Sequence, residues 1–72
     1  MDYRQKFKNY RIDNDLTQQD VARICEVSDA TVGHWETLKR HMHIDCIIAL
    51  CKYYNVSSDY ILGLIKEERK IK

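Results

Sequence analysis

The chain has no proline and only 2 glycines in its 72 residues. Long irregular loops and turn-rich sandwiches need both, so a mostly helical chain is expected. No apolar run approaches the roughly 18 residues a membrane span requires. Nothing behind Met1-Asp2-Tyr3-Arg4-Gln5-Lys6 looks like the apolar stretch of a secretory signal, so a cytoplasmic location is expected. A large charge of one sign is also lacking: 12 basic and 11 acidic residues leave +1. Composition alone therefore does not announce a nucleic-acid binder. There is no glycine-rich phosphate loop and no nucleophile with a positioned base, so neither catalysis nor a cofactor is expected. The length allows one core and no second one.

The small net charge hides a pattern. Arg4, Lys6, Lys8 and Arg11 outweigh Asp2, leaving residues 1–12 at +3. Residues 13–36 stand at −5, with Arg23 the one base among six acids. Residues 37–72 return to +3. The three cysteines, Cys25, Cys46 and Cys51, show no CxxC spacing and read as small buried hydrophobes. Cys46 and Cys51 stand about 140° apart around a helix, which argues against a metal site built with His41 and His43.

Five short helices are expected. Tyr3, Phe7 and Tyr10 recur at helical spacing, predicting a first helix over about 2–13, broken by Asn14-Asp15. Thr17 opens a second helix with Asp20 as its capping-box partner, and Val21, Ala22 and Ile24 face inward. Ser28 caps a third helix anchored by Val32 and Trp35. Ile44, Ile47, Ile48, Cys51 and Tyr54 mark the buried stripe of a fourth, ended by Asn55. Ser57 caps a fifth, with Tyr60, Ile61 and Leu64 buried and Gly63 near its end. Residues 1–65 are read as the domain and 66–72 as a charged tail that either continues the helix or frays. Only Glu26 and Val27 separate Cys25 from the cap Ser28. So tight a turn between two helices describes a helix-turn-helix, and an ordinary helical bundle is the alternative on pattern alone.

The residues themselves go further. Leu16-Thr17-Gln18-Gln19-Asp20-Val21-Ala22, then Val27-Ser28-Asp29-Ala30-Thr31-Val32-Gly33-His34-Trp35-Glu36, then Val56-Ser57-Ser58-Asp59-Tyr60-Ile61-Leu62-Gly63 follow in order. Together they resemble the Cro and phage-repressor type of helix-turn-helix domain. The resemblance runs from about Phe7 to Leu64. It implies an all-α, five-helix bundle of the lambda-repressor kind and sequence-specific binding of double-stranded DNA as a homodimer, to repress or activate transcription, with a repressor the expected case. The family often has Gly where this chain has Asp15, Glu26, Leu38 and Asn55; its usual Pro before helix four is Met42, and its usual capping Ser is His43. Asp and Asn take positive φ cheaply, but Glu26 and Leu38 do not, so those turns either differ or are strained.

The resemblance also assigns roles. Helix three enters the major groove, with Asp29, Ala30, Thr31, Gly33 and His34 towards base edges. Asp29 has a second reading, as a first-turn acid favoured by the helix dipole. Thr17, Gln18, Lys8, Thr37, Lys39 and Arg40 are the phosphate candidates. Arg11 and Glu36 are expected to form a structural pair between helices one and three. The dimer is expected through helix five and the tail, on the apolar Ile61, Leu64 and Ile65. The acidic residues 13–36 support an alternative: a protein-interaction module of the same fold, antirepressor-like or antitoxin-like, that does not bind DNA.

Overall fold

The computed structural model describes residues 1–71. Five helices follow in order: α1 (Tyr3–Asp13), α2 (Gln18–Cys25), α3 (Asp29–Glu36), α4 (Ile44–Tyr54) and α5 (Ser58–Ile61). No strand occurs among the described residues, so the all-α, five-helix expectation holds. None of these helices is long and apolar enough to cross a membrane.

Each helix begins with a polar side chain that accepts a free first-turn amide, the usual means of satisfying those donors. Asp2 accepts from Arg4, Thr17 from Asp20, Ser28 from Thr31, and Ser57 from Tyr60. Thr17 and Asp20 form the full reciprocal capping box. His43, standing where a serine is usual, accepts the Asp45 amide through Nδ1 at 3.4 Å.

The helix ends share one device. A left-handed residue follows each helix: Asp15, Glu26, Leu38, Asn55 and Gly63, with φ of 55°, 58°, 63°, 55° and 86°. Its amide bonds the carbonyl three residues back, and the next amide reaches five residues back. Glu26 to Arg23 and Val27 to Ala22 are one such pair; Leu38 to Trp35 and Lys39 to His34 are another. These are Schellman turns, and only one of the five uses glycine. The turns at Glu26 and Leu38 therefore take the left-handed form that glycine adopts without steric cost, and carry strain.

Such a turn usually tucks the next apolar side chain against the core. Leu16, Val27 and Val56 do so. Two ends break the pattern. After α3 the next residue is Lys39, which is exposed. After α5 it is Leu64, which is 74% exposed and not buried as expected. With α5 only four residues long, the chain has already turned away from the core at that point.

One core joins Phe7 of α1, Val21 and Ala22 of α2, Val32 and Trp35 of α3, Leu50 of α4 and Ile61 of α5. α4 crosses its centre, and its buried stripe is Cys46, Ile47, Leu50, Cys51 and Tyr54. Ile44 and Ile48, expected inside, are about half exposed. The segment from Ile44 to Cys51 is apolar almost all round, so periodicity alone admits more than one rotation of this helix. Packing of α2 and α5 against α4 selects the face that holds Cys46 and Leu50. Cys46 and Cys51 are buried and Cys25 is half-buried. Burial pushes all three thiols up, Cys25 to about 12, which leaves them unreactive hydrophobes.

The tail neither continues α5 nor runs free. It folds back, so that the Ser57 amide donates to the Arg69 carbonyl at 2.7 Å and the Tyr10 hydroxyl donates to Glu68. Lys72, the last tail residue, lies outside the described residues. Ile61 is 1% exposed and belongs to the core of its own chain, so it is not free for a dimer surface.

Candidate nucleic-acid interface

The two helices of the motif meet through a turn of Glu26 and Val27, and α2 packs chiefly on α3. Val32 and Trp35, three residues apart, plug α3 into the core. Truncating a buried tryptophan costs about 3–5 kcal/mol, so this anchor fixes both the height and the rotation of α3. The opposite side of the helix is what remains outside. Asp29 and Ala30 are exposed at its start; Gly33 and His34 are half-buried one turn later. The Asp29 carboxylate makes no hydrogen bond or ion pair among the described residues. Thr31 is half-buried, and its hydroxyl lies 2.9 Å from the capping hydroxyl of Ser28.

The start of α2 is brought against this face. A Cβ added at Gly33 would lie 3.8 Å from Gln18 Oε1, an ordinary van der Waals approach. Gln18 Nε2 donates to Glu36 Oε1 at 3.0 Å. Thr17 is occupied by its capping box: it accepts from the Asp20 amide at 3.1 Å and donates its own amide to Asp20 at 2.9 Å.

Glu36 is the hub behind the face. Arg11 grips it twice, through Nε at 2.7 Å and Nη2 at 3.0 Å, and donates its third bond to the Leu16 carbonyl at 2.9 Å. Both side chains are mostly out of water. The carboxylate raises the Arg11 pKa against the opposing effect of burial. A bidentate pair of this kind is geometrically specific, and removing one partner strands the other charge. Glu36 and Asp20 are thus spoken for by partners on their own chain. Asp13, Asp15, Glu26 and Asp29 remain exposed, without partners among the described residues.

The phosphate candidates lie on three elements. Thr37 turns its hydroxyl back to the Gly33 carbonyl at 2.9 Å. Lys39 and Arg40 are exposed on the loop that leaves α3. Lys8 is exposed on α1, beside a groove that Gln5, Asn9 and Glu36 also line.

Sequence reasoning missed Arg4. It is the one buried charged residue among those described. Its guanidinium pairs twice with Asp2, at 2.8 Å each, and donates to the Arg40 carbonyl at 2.9 Å. The only sequence signal was an aspartate two residues before it, at the cap of the first helix.

Three likenesses to known proteins accompany this geometry. The sequence pattern of the helix-turn-helix family matches residues 7–61. YobD of Bacillus subtilis (strain 168), an uncharacterised HTH-type transcriptional regulator, is 32% identical over 73 aligned positions, covering 94% of this chain. The chain spans 65% of that relative's length. In fold it is similar to the P22 c2 repressor protein, crystallised with synthetic operator 9T in the presence of Tl+, with a TM-score of 0.77. That likeness covers 86% of this chain and 94% of the repressor chain in that crystal structure, at 21% identity.

Proposed function

Because the chain belongs to the helix-turn-helix family, of the Cro and phage-repressor type, we propose that it is a transcriptional regulator, a repressor by family habit, that reads duplex DNA with α3. One observation carries this reading. α3 is held from behind by Val32 and Trp35 while Asp29, Ala30, Gly33 and His34 stay on its outer side, next to the start of α2. A recognition helix needs that separation of anchor from reading face. The names of the two similar proteins support it: a transcriptional regulator and a repressor bound to its operator.

In this reading Asp29, Ala30, Thr31, Gly33 and His34 meet base edges. Thr17, Gln18, Lys8, Thr37, Lys39 and Arg40 meet the flanking phosphates, and Arg11 with Glu36 keeps α1 and α3 in register. Two copies on one site supply the specificity that one short helix lacks. Leu62 and Leu64, exposed where the chain leaves α5, are the apolar residues open to a second copy. Sedimentation of the free chain should show a concentration-dependent shift; a strict monomer, free and on a palindromic site, would remove the homodimer.

Selection from a random duplex pool at low and moderate salt tests the binding. Retention should fall with salt as counterions are released. His34→Ala should lose discrimination at one or two base pairs, about 1–3 kcal/mol. Lys39→Ala should weaken all sequences alike and reduce the salt slope by about one. No retained sequence at low salt would favour the interaction module, which the unpartnered Asp13, Asp15, Glu26 and Asp29 would suit. A preference kept by His34→Ala and altered by Lys39→Ala would mean that another face meets the DNA.

A further inference from the structure

Arg40, His41 and Met42, consecutive in the loop after α3, are each held by the first turn of α1. Arg4 Nη1 donates to the Arg40 carbonyl at 2.9 Å. The Tyr3 ring stacks on His41, with centroids 6.0 Å apart and planes 15° from parallel, and its hydroxyl lies 3.1 Å from His41 Nδ1. That hydroxyl also accepts the Met42 amide at 2.8 Å. Asp2 holds Arg4 in place, bonding its guanidinium twice and its backbone amide once.

This attachment answers a local weakness. The turn that ends α3 places Leu38 at φ 63° and is followed by Lys39, which offers no apolar side chain to the core. From α3 the stretch is held by backbone alone, the Leu38 amide on the Trp35 carbonyl and the Lys39 and Arg40 amides on that of His34, and the loop regains the core only at Met42. A family member with proline at position 42 has no amide there to give, so the Tyr3 bond depends on Met42 being a residue with an N–H.

We propose that Asp2, Tyr3 and Arg4 are positioning residues for DNA binding, which act by holding the Lys39–Arg40 loop where those two side chains meet phosphate. This rests on the DNA-binding reading above. The clamp touches no DNA. It removes in advance the backbone freedom that the loop would otherwise lose on binding.

Tyr3→Phe tests it, since the substitution keeps the ring and deletes only the hydroxyl. Binding to a random-sequence duplex is the readout, because phosphate contacts do not depend on sequence. In the otherwise unchanged chain the affinity should fall about threefold to tenfold, the scale of one lost hydrogen bond. The salt slope should shrink as well. With Lys39→Ala and Arg40→Ala already present, Tyr3→Phe should change nothing further. A merely structural role would give the same loss in both backgrounds, and that result overturns the proposal, as does an unchanged affinity in the first. A second measurement needs no DNA: hydrogen exchange at the Met42 amide should quicken in Tyr3→Phe, and an unchanged rate also overturns the clamp. The unsubstituted chain judges the DNA reading by itself. If it retains no duplex at low salt, that reading fails and takes this role of the loop with it; if it binds, only the Tyr3→Phe arms decide the clamp.

Discussion

The Tyr54 hydroxyl is buried with no hydrogen-bond partner among the described residues. Burial pushes its pKa up to about 12. The ring is well placed, stacked on Tyr10 at 5.2 Å and edge-on to Tyr53 at 5.3 Å. Desolvating an unpaired hydroxyl costs about 1–3 kcal/mol, so Tyr54→Phe should stabilise the fold by about 1 kcal/mol. Thermal unfolding would then shift upwards by several degrees, and a downward shift would mean that the hydroxyl has a partner in solution. Glu26 offers a second residue-scale gain. Its φ of 58° is a conformation an L side chain holds at about 1–2 kcal/mol. Glycine removes that strain but is more flexible when unfolded. Glu26→Gly should therefore gain about 0.5–1 kcal/mol in denaturant titration, and Asn55→Gly clearly less, because Asn adopts this conformation more readily.

At the scale of elements, α3 is a helix with a glycine in its second turn. Gly33 has helical geometry, and a Cβ there meets Gln18 no closer than 3.8 Å. Gly33→Ala should raise stability by up to about 1 kcal/mol, the propensity difference between the two residues. The same methyl would stand on the proposed reading face. Measured side by side, unfolding and duplex selection should show a stabler protein with altered base preference. A stabler protein with unchanged preference would remove Gly33 from the face. Helix boundaries were legible in the sequence because capping is local: Thr17, Ser28 and Ser57 sit within three residues of the amides they cap. The buried arc of α4 was not legible, because its apolar residues run nearly all round and only its neighbours choose among them.

At the scale of the molecule, charged side chains tie α1 to elements distant in sequence. Arg11 reaches Glu36, Lys6 donates to the Tyr60 carbonyl at 2.7 Å, and Arg4 reaches Arg40. Asp2 supports the last of these, and its bonds to Arg4 hold its carboxyl down at about 2. An unfolded aspartate titrates near 3.9, so the unfolded chain takes up this proton at a higher pH than the folded one. The resulting stability is present in full above about pH 4 and is lost as pH falls from there through about 2. Asp20, lowered by its bonds to Thr17, acts in the same direction. Acid unfolding followed by circular dichroism should show Asp2→Asn with a shallower loss than the parent between pH 4 and 2. Parallel curves would mean that Asp2 keeps its proton equilibrium on folding.

The amino-acid sequence by itself determined the five helices, the caps Thr17, Ser28 and Ser57, the tight turn between α2 and α3, and the two residues that anchor α3. All of these are signalled by capping, turn length and apolar spacing within a few positions along the chain. Its motifs also led to the helix-turn-helix family; the bond that Gln18 makes to Glu36 spans eighteen positions and appears only once α2 and α3 are packed. The tertiary structure alone decided that Ile44, Ile48 and Leu64 lie outside, that Ile61 belongs to the core, and that the tail returns to Ser57 and Tyr10. It alone put Glu26 and Leu38 into left-handed turns and buried Arg4 against the loop after α3. Apart from the two turns, whose hydrogen bonds are local, these outcomes rest on packing against residues far away in the chain, and burial is not a property that a residue carries in its own neighbourhood.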